Sequence, residues 1–414
     1  MTSPKRRETK QDKAAALHGA PAEGAPSAAH VSCAGAGQGE QPGPGAAKGE
    51  VILLTGFPSF LARRVCLELL AQRVGARILL LQDGDGQRLE AFLGSLAEDD
   101  RARVEPLTGH VSRMDLGLTS EAYRRLAQDL TAIHHLASTY ADPGKGQPER
   151  LRLVNVQGTR EIVELAGQCQ ALVRLVHWST IHVSGCRQGV VMEEDLECGQ
   201  RFHSVWEQTR YEAERLVRRA SRKLSATVLR PGVVVGDSRT GELEAYDGPW
   251  RILGRFLQAP QGQPALLPGS GQAPVHLVPV DFVARAGAFL GAAPEAAGKT
   301  FHLVDPSPLS AAEVYKLVAR KAHRRPRPQA VPKALTRLLR LHPRMERLAR
   351  LPVAPPEIFD QLVFYNPQNA LSLLWDAGIR CPSFPSYAER LVTHTKGSSA
   401  SVPAEEDGPS DPLA

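Results

Sequence analysis

The feature that most limits how this chain folds is a strand–turn–helix signal at residues 51–73. Val51-Ile52-Leu53-Leu54 is wholly apolar and ends at Thr55-Gly56. A run with no polar face suits a central parallel strand, buried on both sides of its sheet. Phe60–Arg73 follows, with Leu61, Val65 and Leu69 at helical spacing and Arg63, Arg64 and Glu68 between them, the pattern of a helix with one buried face. The alternation then repeats. Arg77–Leu81 is a second apolar strand, closed by Asp83-Gly84-Asp85-Gly86, and a shorter third lies near Val104. Helix Ser120–Leu130 leads to strand Ala132–Leu136, helix Glu149–Cys169 to strand Leu172–Trp178, and helix Val205–Arg219 to strand Ala226–Leu229. This predicts an α/β fold, a doubly wound parallel sheet with helices on both faces. Beyond about Gly241 the pattern is less regular and Pro-rich, which predicts a smaller C-terminal cap over the carboxyl ends of the strands.

The ends read differently. Residues 1–49 are rich in Ala, Gly, Pro and polar groups, and such a segment buries too little to offset chain entropy, so it is expected to be disordered. Residues 396–414 carry the same expectation. Aromatic residues are only 5% of the chain, so the core between the ends must be mainly aliphatic. The formal net charge of +6 suits anionic ligands. No zinc-finger spacing, base-reading basic helix or aromatic RNA-binding strand accompanies it, so nucleic acid is not an expected partner. None of the six cysteines forms a C-x-x-C pair, and Cys66 and Cys169 fall within apolar helix patterns. Reduced, buried thiols are the simplest reading. The basic start at Lys5, Arg6 and Arg7 lacks a following apolar region, and no apolar run is long enough to span a membrane. A cytoplasmic protein is the expectation.

The turn Thr55-Gly56-Phe57-Pro58-Ser59-Phe60-Leu61-Ala62 stands between strand and helix, where a dinucleotide fingerprint belongs. Gly56 supplies the tight turn, and Ala62 is tolerated where helix and strand pack closely. Between them Ser59 adds a side chain where a pyrophosphate approaches the helix N-terminus. A plain strand–helix turn that binds nothing has the same outline.

Other segments agree with the first. They are His135-Leu136-Ala137-Ser138, Val154-Asn155-Val156-Gln157-Gly158-Thr159, Ser179-Thr180-Ile181-His182-Val183-Ser184-Gly185, Leu229-Arg230-Pro231-Gly232-Val233-Val234-Val235-Gly236-Asp237 and Val278-Pro279-Val280-Asp281-Phe282-Val283. With Leu54–Ala62 they make six motifs in order. In this the chain resembles the extended short-chain dehydrogenase/reductases, in the branch of thioester reductases and male-sterility fatty acyl reductases. The resemblance covers roughly 50–390. It implies a Rossmann domain binding NADP or NAD over 50–240, and a cap or substrate region over 241–395, partly interleaved with the sheet. It places the cofactor against Gly56, Pro58, Ser59, Phe60, Leu61, Gln82, Asp83, His110, Val111, Ala137, Asn155, Arg210, Pro231 and Val233.

The same resemblance puts Thr180 where a hydroxyl polarises the substrate carbonyl, ahead of a Tyr-x-x-x-Lys acid/base pair on one helix face. Aligning on Ala213-Glu214 sets Trp206 at the Tyr position and Arg210 at the Lys position. An indole only donates, and a guanidinium is not a point charge. A rival register pairs Tyr211 with Arg215, but Tyr211 lies about 140° further round the helix than Trp206. Two more positions depart from the family pattern. Gly109-His110 stands where Gly-Asp would hold the adenine, and Gln82-Asp83 where a base or acid would choose between NADP and NAD. Asp83 can accept from ribose hydroxyls, and it also reads as an exposed turn carboxylate. Dinucleotide binding is therefore expected to be weak or lost.

Outside the family pattern, Lys333–Arg350 carries Arg337, Arg340, Arg344 and Arg347 at helical spacing, interrupted by Pro343. A solvated face is the reading preferred to peripheral membrane or acyl-CoA contact. Three functions remain open: an NAD(P)-dependent reductase of an acyl thioester, aldehyde or related carbonyl; a non-catalytic descendant that binds a nucleotide or partner; and a sugar-nucleotide epimerase or dehydratase. The epimerase also needs the missing Tyr. No metal site is expected.

Overall fold

The computed structural model describes residues 49–84, 86–140, 148–244, 254, 257, 266–268, 271–324, 329–331 and 361–397. The N-terminal segment 1–48, the tail 398–414 and the basic stretch 333–350 lie outside the described residues. The expectations drawn for them lie there too. Within the described part, the expected tail from 396 begins two residues early, because the last helix runs through Gly397.

The first half alternates as the apolar runs require. The order is β1 (Val51–Thr55), α1 (Phe60–Gln72), β2 (Arg77–Gln82), α2 (Gly86–Gly94), α3 (Glu98–Arg101), β3 (Val104–Thr108), α4 (Ser120–Asp129) and β4 (Ala132–His135). Next come α5 (Pro148–Leu151), a π-helical stretch at Arg152–Gln157, α6 (Gly158–Gln168), β5 (Arg174–Trp178), β6 (Gly189–Val191), α7 (Val205–Ala220), β7 (Ala226–Pro231) and β8 (Val233–Val235). The remainder holds β9 (Leu266–Pro268), β10 (Leu277–Pro279), α8 (Val280–Ala292), β11 (Thr300–Leu303), α9 (Ala311–Lys321), β12 (Gln329–Val331), β13 (Val363–Tyr365), α10 (Gln368–Asp376) and α11 (Phe384–Gly397). The single helix expected over Glu149–Cys169 is thus three pieces, with a widened turn around Asn155.

Seven strands form one parallel sheet in the order β11-β7-β5-β4-β1-β2-β3. Side chains alternate across it. Ile52, Leu54, Ile78 and Leu80 pack into one core with Val65 and Leu69 of α1 and Val283 and Leu290 of α8. Leu53, Leu79, Leu81, Ile133 and Leu175 pack into another with Leu126 of α4, Ile162 of α6 and Val217 of α7. Both faces are therefore covered, which is why β1 and β2 read as unbroken apolar runs. The seventh strand, β11, comes from beyond residue 240, so the sheet draws on both halves of the chain. Chain order reverses between β1 and β4, and their carboxyl ends frame the crevice where such sheets bind ligands.

Two short parallel pairs lie outside the sheet near this edge. β8 pairs with β10 and β6 with β13. They bring residues 276–279 and 361–365 beside the loops that follow β5. No helix among the described residues is long and apolar enough to cross a membrane.

Candidate active site

The glycine turn sits at the reversal point. Gly56 has φ +95°, and a Cβ there would lie 2.9 Å from the Ala137 nitrogen at the end of β4. Only glycine meets both conditions without strain. Thr55 ties the two strand ends together, since its hydroxyl accepts from Ala137 N (3.1 Å) and bonds His135 Nδ1 (2.9 Å). Phe57 turns inward onto Phe92, and Pro58 is half-buried beside it. Ser59 is the N-cap of α1, its hydroxyl accepting from Ala62 N at 3.3 Å. The side chain that sequence places in the pyrophosphate's path thus also engages one N–H of the first helical turn. Phe60 lies under the Arg64 guanidinium (5.2 Å), and Leu61 packs partly into the core.

At the adenosine end, Gln82 is buried and its amide oxygen accepts from Gly84 N. Asp83 is exposed, 3.9 Å from His110 Nε2. His110 Nδ1 accepts from Ser112 N, which leaves Nε2 to carry the ring proton toward Asp83. Burial lowers the His110 pKa, so this ring is mostly neutral at pH 7. Val111 packs against Gly158 at the start of α6. Asn155 is fully buried, and its amide is engaged three times, with Thr139 N (2.8 Å), Thr139 O (3.2 Å) and Thr209 Oγ1 (3.0 Å). It links the segment after β4 to α7. Pro231 ends β7 in register with Leu303, and Val233 opens β8.

The reacting end gathers around β5 and α7. Thr180 follows β5, buried, with its hydroxyl accepting from His182 N at 3.3 Å. The hydroxyl proton is left to donate. On α7, the Trp206 ring meets Tyr140 edge-on (5.5 Å) and His182 (5.7 Å). One turn later, Arg210 is buried and donates to the Trp178 carbonyl, while its Nη1 has no hydrogen-bond partner among the described residues. Burial lowers its pKa to about 10, with Glu214 opposing, so it keeps its charge at neutral pH. The same burial, with Arg210 adding to it, holds His177 at about 3. Tyr211 and Arg215 lie elsewhere. Tyr211 stacks on Phe202 (5.0 Å) and under Arg215 (5.5 Å), while Arg215 bonds Glu197.

Beneath α7 a charged network sets these positions. Arg230 grips Glu214 through Nε (3.0 Å) and Nη2 (2.6 Å), and Ser179 Oγ donates to the same carboxylate at 2.6 Å. Ser179 precedes Thr180, so one carboxylate holds both the end of β5 and the helix bearing Trp206 and Arg210. Burial alone would raise Glu214, but Arg230, Arg218 and Ser179 hold it at about 2.

A small pocket adjoins Thr180 along the chain. Ile181, Val233, Val275 and Val363 give it apolar walls, and His182, Glu207, His276 and Tyr365 give it polar ones. Burial, with His276 and His203 adding to it, holds His182 at about 4, and burial raises Glu207. Tyr365 bonds Ser184 Oγ at 2.8 Å. Sequence reasoning missed these groups. His182 and Glu207 had a local signal, being two residues past Thr180 and the fourth residue of Ser204-x-x-Glu207. Tyr365 and His276 arrive by pairing of three-residue strands and had none.

Comparison with known proteins agrees with this architecture. The family model of a NAD-binding domain described as male sterility protein matches residues 54–287. The glycine betaine reductase ATRR of Emericella nidulans is 29% identical over 64% of this chain and 22% of its own length. The fatty acyl-CoA reductase wat of Drosophila melanogaster is 24% identical over 58% of this chain and 53% of its own. This chain therefore spans little more than half of one curated relative and under a quarter of the other. The terminal R domain from the myxalamid PKS-NRPS biosynthetic pathway superposes with a TM-score of 0.68 at 28% identity, covering 83% of this chain and 90% of that one.

Proposed function

The chain belongs to the male sterility protein family, in the thioester-reductase-like branch of the extended short-chain dehydrogenase/reductases, and on that premise we propose that it is an NAD(P)-binding carbonyl reductase of low turnover. Its substrate class is a small acyl thioester or aldehyde. One observation carries the reading: the α7 face toward Thr180 presents an indole and a buried guanidinium, not a phenol and an ammonium.

The residues present fit a dinucleotide at two places. The Gly56 turn brings β1 against the backbone of β4, and the spare Nη1 of Arg210 suits a ribose hydroxyl or a carbonyl lone pair. When bound, NAD(P)H supplies the hydride. The chain's part is to hold and polarise the carbonyl. Thr180 donates a hydrogen bond from its hydroxyl to the carbonyl oxygen, the apolar walls seat the acyl chain, and Arg210 supplies a fixed positive charge near the developing oxyanion. A proton must then reach that oxygen. Trp206 does not titrate usefully, so it arrives from water and slowly. The epimerase reading needs the same missing phenol.

Titration with NADPH and with NADH, followed by quenching of tryptophan fluorescence, tests the first half. Cofactor oxidation in the presence of butanal or a butanoyl thioester tests the second. Weak binding and slow oxidation are expected. Absence of binding to either cofactor would leave the non-catalytic descendant as the reading. Ser59→Gly is expected to tighten binding by a few-fold to about tenfold, since a hydrogen bond freed for ligand is worth roughly 0.5–1.5 kcal/mol. The fold should hardly notice, because exchanging a Ser N-cap for Gly costs only a few tenths of a kcal/mol. Unchanged affinity in that variant would count against the crowding of the phosphate turn.

A further inference from the structure

Cys186 follows Gly185, one of the residues that line the pocket. Gln361 lines it too, and Cys186 lies against His203. The turn needs glycine at 185, where φ is +55° and a Cβ would lie 2.1 Å from the Arg201 carbonyl oxygen. Cys186 N donates to that same oxygen at 2.8 Å. Residues 185–187 and 201–203 therefore run side by side. Across this contact Cys186 Sγ lies 3.6 Å from His203 Nδ1, and His203 Nε2 lies 3.0 Å from Gln361 Oε1.

Gln361 decides the tautomer. Its Nε2 donates to Gly185 O (2.7 Å) and Arg187 O (2.5 Å), so its amide oxygen is the atom that faces the imidazole. An amide oxygen only accepts. His203 Nε2 therefore carries the ring proton, and Nδ1 presents its lone pair to the thiol. A thiol beside a basic imidazole that a third group orients is the arrangement of a nucleophilic cysteine. Three other cysteines are less accessible than Cys186. Burial pushes Cys66 up to about 12 and Cys169 to about 11, and raises Cys381 as well.

We propose that Cys186, activated by His203 and oriented through Gln361, accepts an acyl group from a small acyl thioester seated in the pocket. The Cys186 sulfur attacks the thioester carbonyl carbon as its proton passes to His203 Nδ1. The donor's carbon–sulfur bond then breaks, and the departing thiolate takes that proton back. A thioester on Cys186 and a free thiol result, with no oxidation or reduction. Ile181, Val233, Val275 and Val363 give the pocket the lining a short aliphatic acyl chain requires. The donor class rests on the proposed function, but the step needs no dinucleotide, so labelling without NAD(P)H is read apart from reductase turnover.

The test uses the full chain, without NAD(P)H, and butanoyl N-acetylcysteamine thioester as donor. Trypsin cuts after Arg174, Arg187 and Arg201, which puts Cys186 and Cys198 on separate peptides. Cys198 is also exposed and serves as the reference in the same molecule. A hydroxylamine-labile butanoyl mass is expected on peptide 175–187 well ahead of peptide 188–201. His203→Gln should lower the Cys186 rate by about 10²-fold or more relative to Cys198, the low end for loss of a positioned base. Gln361→Leu leaves the imidazole in place but releases its tautomer, and should lower the same ratio by less. Equal labelling of both peptides, or a ratio unchanged in both variants, overturns the proposal.

Discussion

Replacing Glu214 with Ala is expected to remove about 3–5 kcal/mol of stability, the cost of stranding a buried charge whose partner is gone. Arg230 is 1% exposed, and its fork is spent on this one carboxylate, with its remaining bonds going to the backbone of residues 193–195 and to His302. Without the carboxylate, Arg230 and Arg218 repel each other, with only Asp195 and Glu194 left as nearby counter-charges. The pH dependence gives a second readout. A carboxyl held at about 2 in the folded chain, against 4.5 ordinarily, contributes about 3 kcal/mol at neutral pH. Because the folded value is the depressed one, this contribution is complete above about pH 4.5 and is lost as pH falls through about 2. Urea unfolding of the parent should therefore steepen in pH dependence below about 4.5, and Glu214→Ala should lack that component. A midpoint shift worth less than about 1 kcal/mol would mean that the network relaxes and the ion pair does not brace α7.

What the sequence made legible was set by burial. β1 and β2 are covered on both faces, so Val51–Leu54 and Arg77–Leu81 had to be apolar throughout and stood out at once. β3 lies at the sheet edge, with Glu105, Pro106 and Thr108 exposed, and it read as little more than Val104. The widened turn at Arg152–Gln157 left no mark, because a π-type bond changes the backbone and not the side-chain pattern. The pocket was the least legible part. Its far wall comes from β13, three residues paired with β6 some 170 positions earlier in the chain, as Val363↔Gly189 to Tyr365↔Val191. Nothing local in Val363-Phe364-Tyr365 specifies that partner. Gln361, His276 and Tyr365 were therefore absent from the candidate residues, whereas Thr180, Trp206 and Arg210 were found through motif order. The helix places the two registers apart, with Trp206 against His182 and Tyr211 against Phe202.

The double substitution Trp206→Tyr with Arg210→Lys is expected to raise reductase turnover by about 10²–10⁴-fold, the usual contribution of a positioned general acid, equivalent to about 3–5 kcal/mol of barrier. The introduced phenol would sit on the helix face toward the segment that contains Thr180, where the indole of Trp206 now meets His182 and Tyr140. The introduced ammonium, one turn on, would take the place of the buried Arg210 guanidinium, still within reach of the Trp178 carbonyl. Each change needs the other in a different degree. Trp206→Tyr alone should recover part of the rate, since Arg210 keeps its charge at neutral pH and lowers a neighbouring phenol's pKa. Arg210→Lys alone should recover none, because no titratable group is there to be tuned. The measurement is NAD(P)H oxidation with butanal across pH 6–9, and the restored enzyme should show a new limb that rises toward lower pH, where the phenol is protonated. A double variant no faster than the parent, at saturating cofactor, would show that the loss lies elsewhere in the site. A parent that turns over briskly and loses that rate on Tyr211→Phe would move the acid to Tyr211, although its ring packs on Phe202 and under Arg215.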